Sequence, residues 1–186
     1  MKVKSKGLIR AHVRVGTSTG KSRPAESGRR PPEPSVCERC GAVFRRRAWH
    51  AGRAVPHALL TRAHWVTCPA CAQRRDATYL GRVRIVGPTV LAHEDLIRRR
   101  AENVAARAEA TQPERRIVSI DWDGDALEIL TTSQKLAHRV ARELKEILGG
   151  RATYRWSDDG SLFVTWEPGR AAARMRPPAG ARTKRR

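Results

Sequence analysis

The sequence predicts an α+β protein: a four-cysteine zinc ribbon or knuckle module, a connecting helix, then a ββαββ domain with one helix on a four-stranded sheet. Three observations predict it. All four cysteines fall into two Cys-x-x-Cys pairs. The stretch from 115 to 167 switches from a period of two, to a helical period, and back to two. The charge is divided unevenly: residues 37–90 carry ten basic and two acidic residues, residues 91–170 thirteen and fourteen. In a chain of 186 residues with a net charge of +20, the acidic residues cannot neutralise the surface, so a partner that supplies negative charge is expected. No apolar run approaches the roughly 18 residues that span a bilayer. The basic N-terminus lacks the apolar stretch of a signal peptide. The expected location is the cytoplasm, with no membrane partner.

Residues 1–35 read as a disordered basic arm, because small, Pro and charged residues cannot bury enough apolar surface to offset their ordering entropy. Gly16 to Ser22 imitates a phosphate-binding P-loop but has three residues, not four, between Gly16 and Gly20-Lys21-Ser22. Arg23-Pro24 follows where a helix is required. No nucleotide site is read there. Residues 169–186 read as a second disordered basic tail.

Residues 36–90 form the expected zinc-binding module. Cys37-Glu38-Arg39-Cys40-Gly41 and Cys68-Pro69-Ala70-Cys71 each place two thiols on one tight turn, and two such turns close a tetrahedral site of four sulfurs. The ligands predicted are Cys37, Cys40, Cys68 and Cys71, and the cofactor is zinc. The 27 residues between the pairs exceed the spacing of the commonest ribbons, so they must carry structure: a hairpin from Val43 and a short helix over Pro56 to His64. Two disulfides do not suit a reducing cytosol, and a redox Cys-x-x-Cys needs a βαβ setting that is absent. Four thiolates also leave zinc no open position for catalysis. His50, His57 and His64 recur every seven residues, but Pro56 interrupts any single helix carrying them. They read as packing or surface residues. No serine has a nucleophile motif around it, and no enzyme activity is expected.

Around the cysteines lie Arg39, Arg45, Arg46, Arg47, Arg53, Arg62, Arg74 and Arg75, with Trp49 and Trp65 among them. Arginine forks suit phosphate oxygens, and aromatic rings can stack on unpaired bases. These ten residues are the candidate nucleic-acid-binding set. For the tryptophans, packing into the small module core is the equal alternative.

Residues 91–112 read as a connecting helix with a thin apolar stripe of Leu96 or Ile97, Ala101, Val104, Ala105 and Ala108, supported by pairs such as Glu94–Arg98. In residues 113–168, Val118, Ile120 and Trp122 alternate, Asp123-Gly124-Asp125 turns, and residues 126–131 form a second strand. Thr132 or Ser133 caps a helix whose Leu136, Val140, Leu144 and Leu148 recur every four residues, and Gly149-Gly150 ends it. Ala152, Tyr154 and Trp156, then Leu162, Val164 and Trp166, complete two further strands.

The knuckles, Ala42-Val43-Phe44, Trp49, Gly87-Pro88, Thr131-Thr132-Ser133 and Leu136-Ala137-His138-Arg139-Val140 together resemble a family of small bacterial proteins. That family is distantly similar to the N-terminal zinc-binding part of the nonsense-mediated-decay-three family, the archaeal and eukaryotic export adaptor of the large ribosomal subunit. The resemblance spans about residues 36–167 and implies a zinc-bearing module for ribosomal or other RNA surfaces. The adaptor has more Cys-x-x-Cys pairs and further domains, so nuclear export is not carried over. The expected function is that of a zinc-stabilised RNA-binding protein associated with the ribosome or its assembly. The alternative is a zinc-ribbon DNA-binding or transcription-associated regulator.

Overall fold

Two sheets divide the described residues, which in this computed structural model are 30–52, 57–87, 90–167 and 169. The Gly16–Ser22 segment, Arg53, Pro56 and most of both basic tails lie outside them.

The first sheet has the order β3-β2-β1-β4, from β1 (Ser35–Cys37), β2 (Val43–Arg45), β3 (Ala48–His50) and β4 (His64–Val66). Strands β2 and β3 are the expected hairpin, joined by Arg46 and Arg47, both at positive φ (50° and 63°). A two-residue loop with both central residues in this region is the turn whose twist matches a hairpin, and it ordinarily takes Asn-Gly. Here the cost of two arginines is offset from outside the hairpin: the Glu33 carboxylate accepts the N–H of Arg46 and of Arg47, each at 2.9 Å. The short helix α1 (His57–Leu60) follows. The ordered module begins ahead of residue 36, since Ser35 is buried and the Pro34 carbonyl accepts the His64 N–H at 3.0 Å.

The second sheet has five strands, not the four expected, in the order β6-β7-β5-β9-β8. Strand β5 (Gly81–Ile85) comes from the stretch expected to belong to the zinc module. It lies between β7 (Ala126–Thr131), to which it is antiparallel, and β9 (Leu162–Glu167), to which it is parallel. The edges are β6 (Ile117–Asp123) and β8 (Arg151–Trp156). Helices α3 (Glu94–Thr111) and α4 (Gln134–Leu148) cover one face. Ser133 caps α4, accepting the Leu136 N–H at 3.3 Å, and its predicted stripe Leu136, Val140, Leu144 and Leu148 is buried against Val83, Ile85, Ile129, Val164 and Trp166. Helix α4 approaches β5 so closely that a Cβ on Gly81 would lie 2.6 Å from Ala137 Cβ, so glycine is required there. Helix α3 does more than connect: Ile97, Ala101, Val104 and Ala108 belong to the same core. The other face carries charge, with Arg82 paired to Glu128 and Asp123, and Arg84 to Asp125. Edge strand β8 leaves Tyr154 and Trp156 exposed where alternation predicts burial, with the Tyr154 ring against His138 of α4. No described helix is long and apolar enough to cross a membrane.

One irregularity sets up the site. The ladder of β6 shifts between Ile117 and Ser119, which makes Val118 a bulge residue. Ile117 and Ile120 therefore face the core in place of the predicted Val118, Ile120 and Trp122, Trp122 is exposed, and Val118 is re-aimed toward the cysteines.

Candidate metal centre

Parallel pairing of β1 with β4 is what brings the two knuckles together. Cys37 is the last residue of β1 and lies opposite Val66, the last residue of β4. Both chains thus turn at the same end of neighbouring strands, one into Cys37–Cys40 and the other into Cys68–Cys71. The first turn closes with the Gly41 N–H donating to the Cys37 carbonyl at 2.9 Å, and Gly41 takes φ 69°, a value that favours glycine. The second opens α2 (Pro69–Arg75), with Cys68 at the N-cap and Pro69 in the first turn, where a missing N–H is harmless. The Cys68 N–H donates to Cys37 Sγ at 3.3 Å, tying one knuckle to the other.

The sulfurs of Cys37, Cys40, Cys68 and Cys71 all lie within 4.8 Å of one another, and Cys40 Sγ is 3.7 Å from Cys68 Sγ. Tetrahedral Zn–S bonds of about 2.3 Å require sulfurs about 3.8 Å apart. The four side chains therefore fit a tetrahedral thiophilic ion without rearrangement of the chain. Their acid–base behaviour points the same way. Burial pushes the Cys37 thiol up, but the backbone N–H groups of Cys68, Arg39 and Cys40 outweigh it and bring it down to about 7. Burial raises Cys68 strongly, with the charges of Cys37 and Cys40 adding to it, and burial lifts Cys71 to about 11. Four thiols in one buried space cannot all ionise unless a cation sits among them.

Around the sulfurs, Phe44 and Trp49 make a tilted ring pair with centroids 5.3 Å apart, and both are buried with the cysteines. Trp49 is 8% exposed, so of the two candidate stacking residues it is a core residue with no open ring face for a base. Trp65, on β4, is 58% exposed. Arg39, Arg45, Arg46, Arg47, Arg62, Arg74 and Arg75 are all exposed. Arg75 is held by Asp76 at 2.8 Å. The histidines stay outside the cluster: His50 is bonded to the Arg45 carbonyl at 3.1 Å, and the ligand set is cysteine only among the described residues.

Arg116 is a residue that sequence reasoning missed. It precedes β6 and is 6% exposed. Its guanidinium donates to Cys71 Sγ at 3.4 Å and pairs with Glu109 of α3 at 3.0 Å. Burial pushes its pKa down, but the hydrogen bond and charge of Cys40, with Glu109 and Cys71 behind them, leave it raised. A buried cation against a tetrathiolate compensates the net −2 charge that such a centre carries with a dication bound. Nothing in the local sequence distinguishes Arg116 from its half-buried neighbour Arg115.

Compared with known proteins, the chain matches no family model and no curated protein. The four-cysteine cluster is the part of the resemblance noted above that the structure supports.

Proposed function

We propose that this chain is a zinc-stabilised RNA-binding protein that acts on the ribosome or its precursors. The observation that supports the reading is the arginine surface carried by the cysteine module. Arg39, Arg62, Arg74 and the hairpin tip Arg45-Arg46-Arg47 are exposed on the small module that carries the cysteine cluster, while residues 91–170 are nearly neutral. The tip is held in an uncommon backbone conformation by Glu33, so its arginines project from a fixed turn. Strain of this kind, retained at an exposed charged turn, fits a contact surface. With four sulfur ligands zinc has no open position, so the reading is of a binder and not a catalyst. The ribosome enters through the resemblance at the knuckles, and single-stranded RNA through the exposed Trp65 on β4.

Two experiments test this. Sedimentation of a lysate through sucrose is expected to carry the protein with ribosomal particles. Titration of the purified, zinc-loaded chain with single-stranded RNA is expected to show log affinity falling linearly with log salt, by about 0.7 for each phosphate contacted. A salt-insensitive affinity, or equal affinity for acidic protein surfaces, overturns the reading.

A further inference from the structure

An open cleft of about 560 Å³ lies where the cysteine module meets the start of β6. Four of its lining side chains are arginines: Arg39 from the first knuckle, Arg74 and Arg75 from α2, and Arg116 from the approach to β6. Cys40, Cys71 and the bulged Val118 form the rest of its wall. The volume is in the range of sites that hold a single small ligand, about 300–1,000 Å³.

The arginines are not equally committed. Arg75 is taken by Asp76, and two arms of Arg116 are taken by Cys71 and Glu109. The Arg116 Nε–H is buried and has no acceptor among the described residues. Arg39 and Arg74 are exposed and make no ion pair with a described acidic residue. A cleft with two uncommitted guanidinium groups at its rim and the buried Arg116 guanidinium in its wall suits a compact anion with several acceptor oxygens.

From this we infer that the cleft binds one phosphate group of the RNA chain, with Arg39 and Arg74 closing on it as a pair and the buried Arg116 guanidinium adding positive charge from the wall. The inference rests on the RNA reading above and sharpens it. The other arginines of the module contact phosphates one at a time, whereas Arg39 and Arg74 converge on a single one. The site also spans both parts of the fold, since Arg116 lies outside the cysteine module.

The test uses the zinc-loaded full chain and hexauridylate as probe, with affinity measured over a range of potassium chloride. The double change Arg39→Gln with Arg74→Gln alters exposed residues only and is expected to leave zinc content and melting unchanged. It is expected to weaken binding by about tenfold or more. The slope of log affinity against log salt should fall by about 0.7, one phosphate, although two charges are removed. Adding Arg116→Gln should reduce the slope no further, and if that variant fails to fold the double change still decides. A slope that falls by about 1.4 means two independent surface contacts and overturns the cleft. An affinity unchanged by the double change, in a protein that still binds hexauridylate and loses binding on replacement of Arg45-Arg46-Arg47, overturns the cleft and leaves the RNA reading standing. No binding by the unaltered chain removes both.

Discussion

The backbone N–H of Arg47 donates to the Glu33 carboxylate at 2.9 Å, the second of two such bonds that hold a left-handed turn of two arginines. A non-glycine residue in that conformation costs roughly 1–2 kcal/mol. The two bonds to a carboxylate are the visible compensation. Glu33→Ala is therefore expected to destabilise the module by about 1 kcal/mol, the exposure of the carboxylate keeping the figure low. In a chain where Arg46-Arg47 is replaced by Asn-Gly, which suits the turn unaided, the same change should cost little. Urea melts of the four proteins check this coupling.

Metal removal should act on one part of the molecule. The cores of the two sheets share no buried residue. Chelation, or Cys37→Ser, is expected to lower amide protection over 35–50 and 64–72 while β5, β7 and β9 keep theirs, as hydrogen exchange would show. Loss of one zinc equivalent per chain should accompany the change. Loss of protection across the second sheet as well would mean that the two parts unfold as one.

The pH response should reverse on loading. In the metal-free fold Cys68 and Cys71 are raised above the ordinary thiol value of 9.0, so they hold protons more tightly folded than unfolded. Their contribution to stability is present below about pH 9 and is lost as pH climbs toward about 11. Cys37, lowered to about 7, works in the opposite sense and loses its contribution as pH falls through 7. With zinc bound all four must be deprotonated, so acid now competes with the metal and release is expected as pH falls. Denaturation of both forms under reductant at pH 7 and pH 10, with zinc release followed on acidification, tests the two signs.

The tryptophans separate packing from recognition. Trp49→Ala removes half of the Phe44 ring pair from the core that holds the cysteines, and a cost of about 3–5 kcal/mol with weakened zinc retention is expected. Trp65→Ala removes an exposed ring and should leave melting within about 0.5 kcal/mol. If bases stack on Trp65, RNA affinity falls by about 1–3 kcal/mol in that variant alone.

A fragment beginning at Ala77 is expected to fold cooperatively, and one beginning at Gln112 is not. The second lacks β5, whose five residues are paired on both sides, along with the buried Val83, Ile85 and Ile97. Circular dichroism and urea titration of both fragments distinguish the outcomes.

That contrast also marks where the sequence is legible. The α4 stripe, its Ser133 cap, the Asp123-Gly124 turn and the cysteine spacing are local patterns, and each appears as read. Gly81–Ile85 does alternate, with Val83 and Ile85 buried and Arg82 and Arg84 on the other face. Its partners lie about Leu127–Thr131 and Leu162–Trp166, far along the chain, and no local pattern records such pairing. The bulge at Val118 was hidden for a related reason, since a register shift is a property of two strands and the sequence presents one. Arg116 was hidden because burial of a charge depends on what it meets, here Cys71 and Glu109 from elements on either side.

The position of β5 has a bearing on how the molecule is made. Its five residues pair in parallel with the last strand, Val83 opposite Val164 and Ile85 opposite Trp166. During synthesis from the N-terminus, the four cysteines and the strands that juxtapose them are all available by residue 71, while the central strand of the second sheet must wait for the final one. The cysteine module can therefore take up its ion and settle early, while the second sheet waits on a contact of long sequence separation, the kind that closes slowly. Until β9 arrives, the edge of β5 that pairs with it stays open, and this is the interval in which the nascent chain is most open to misassembly.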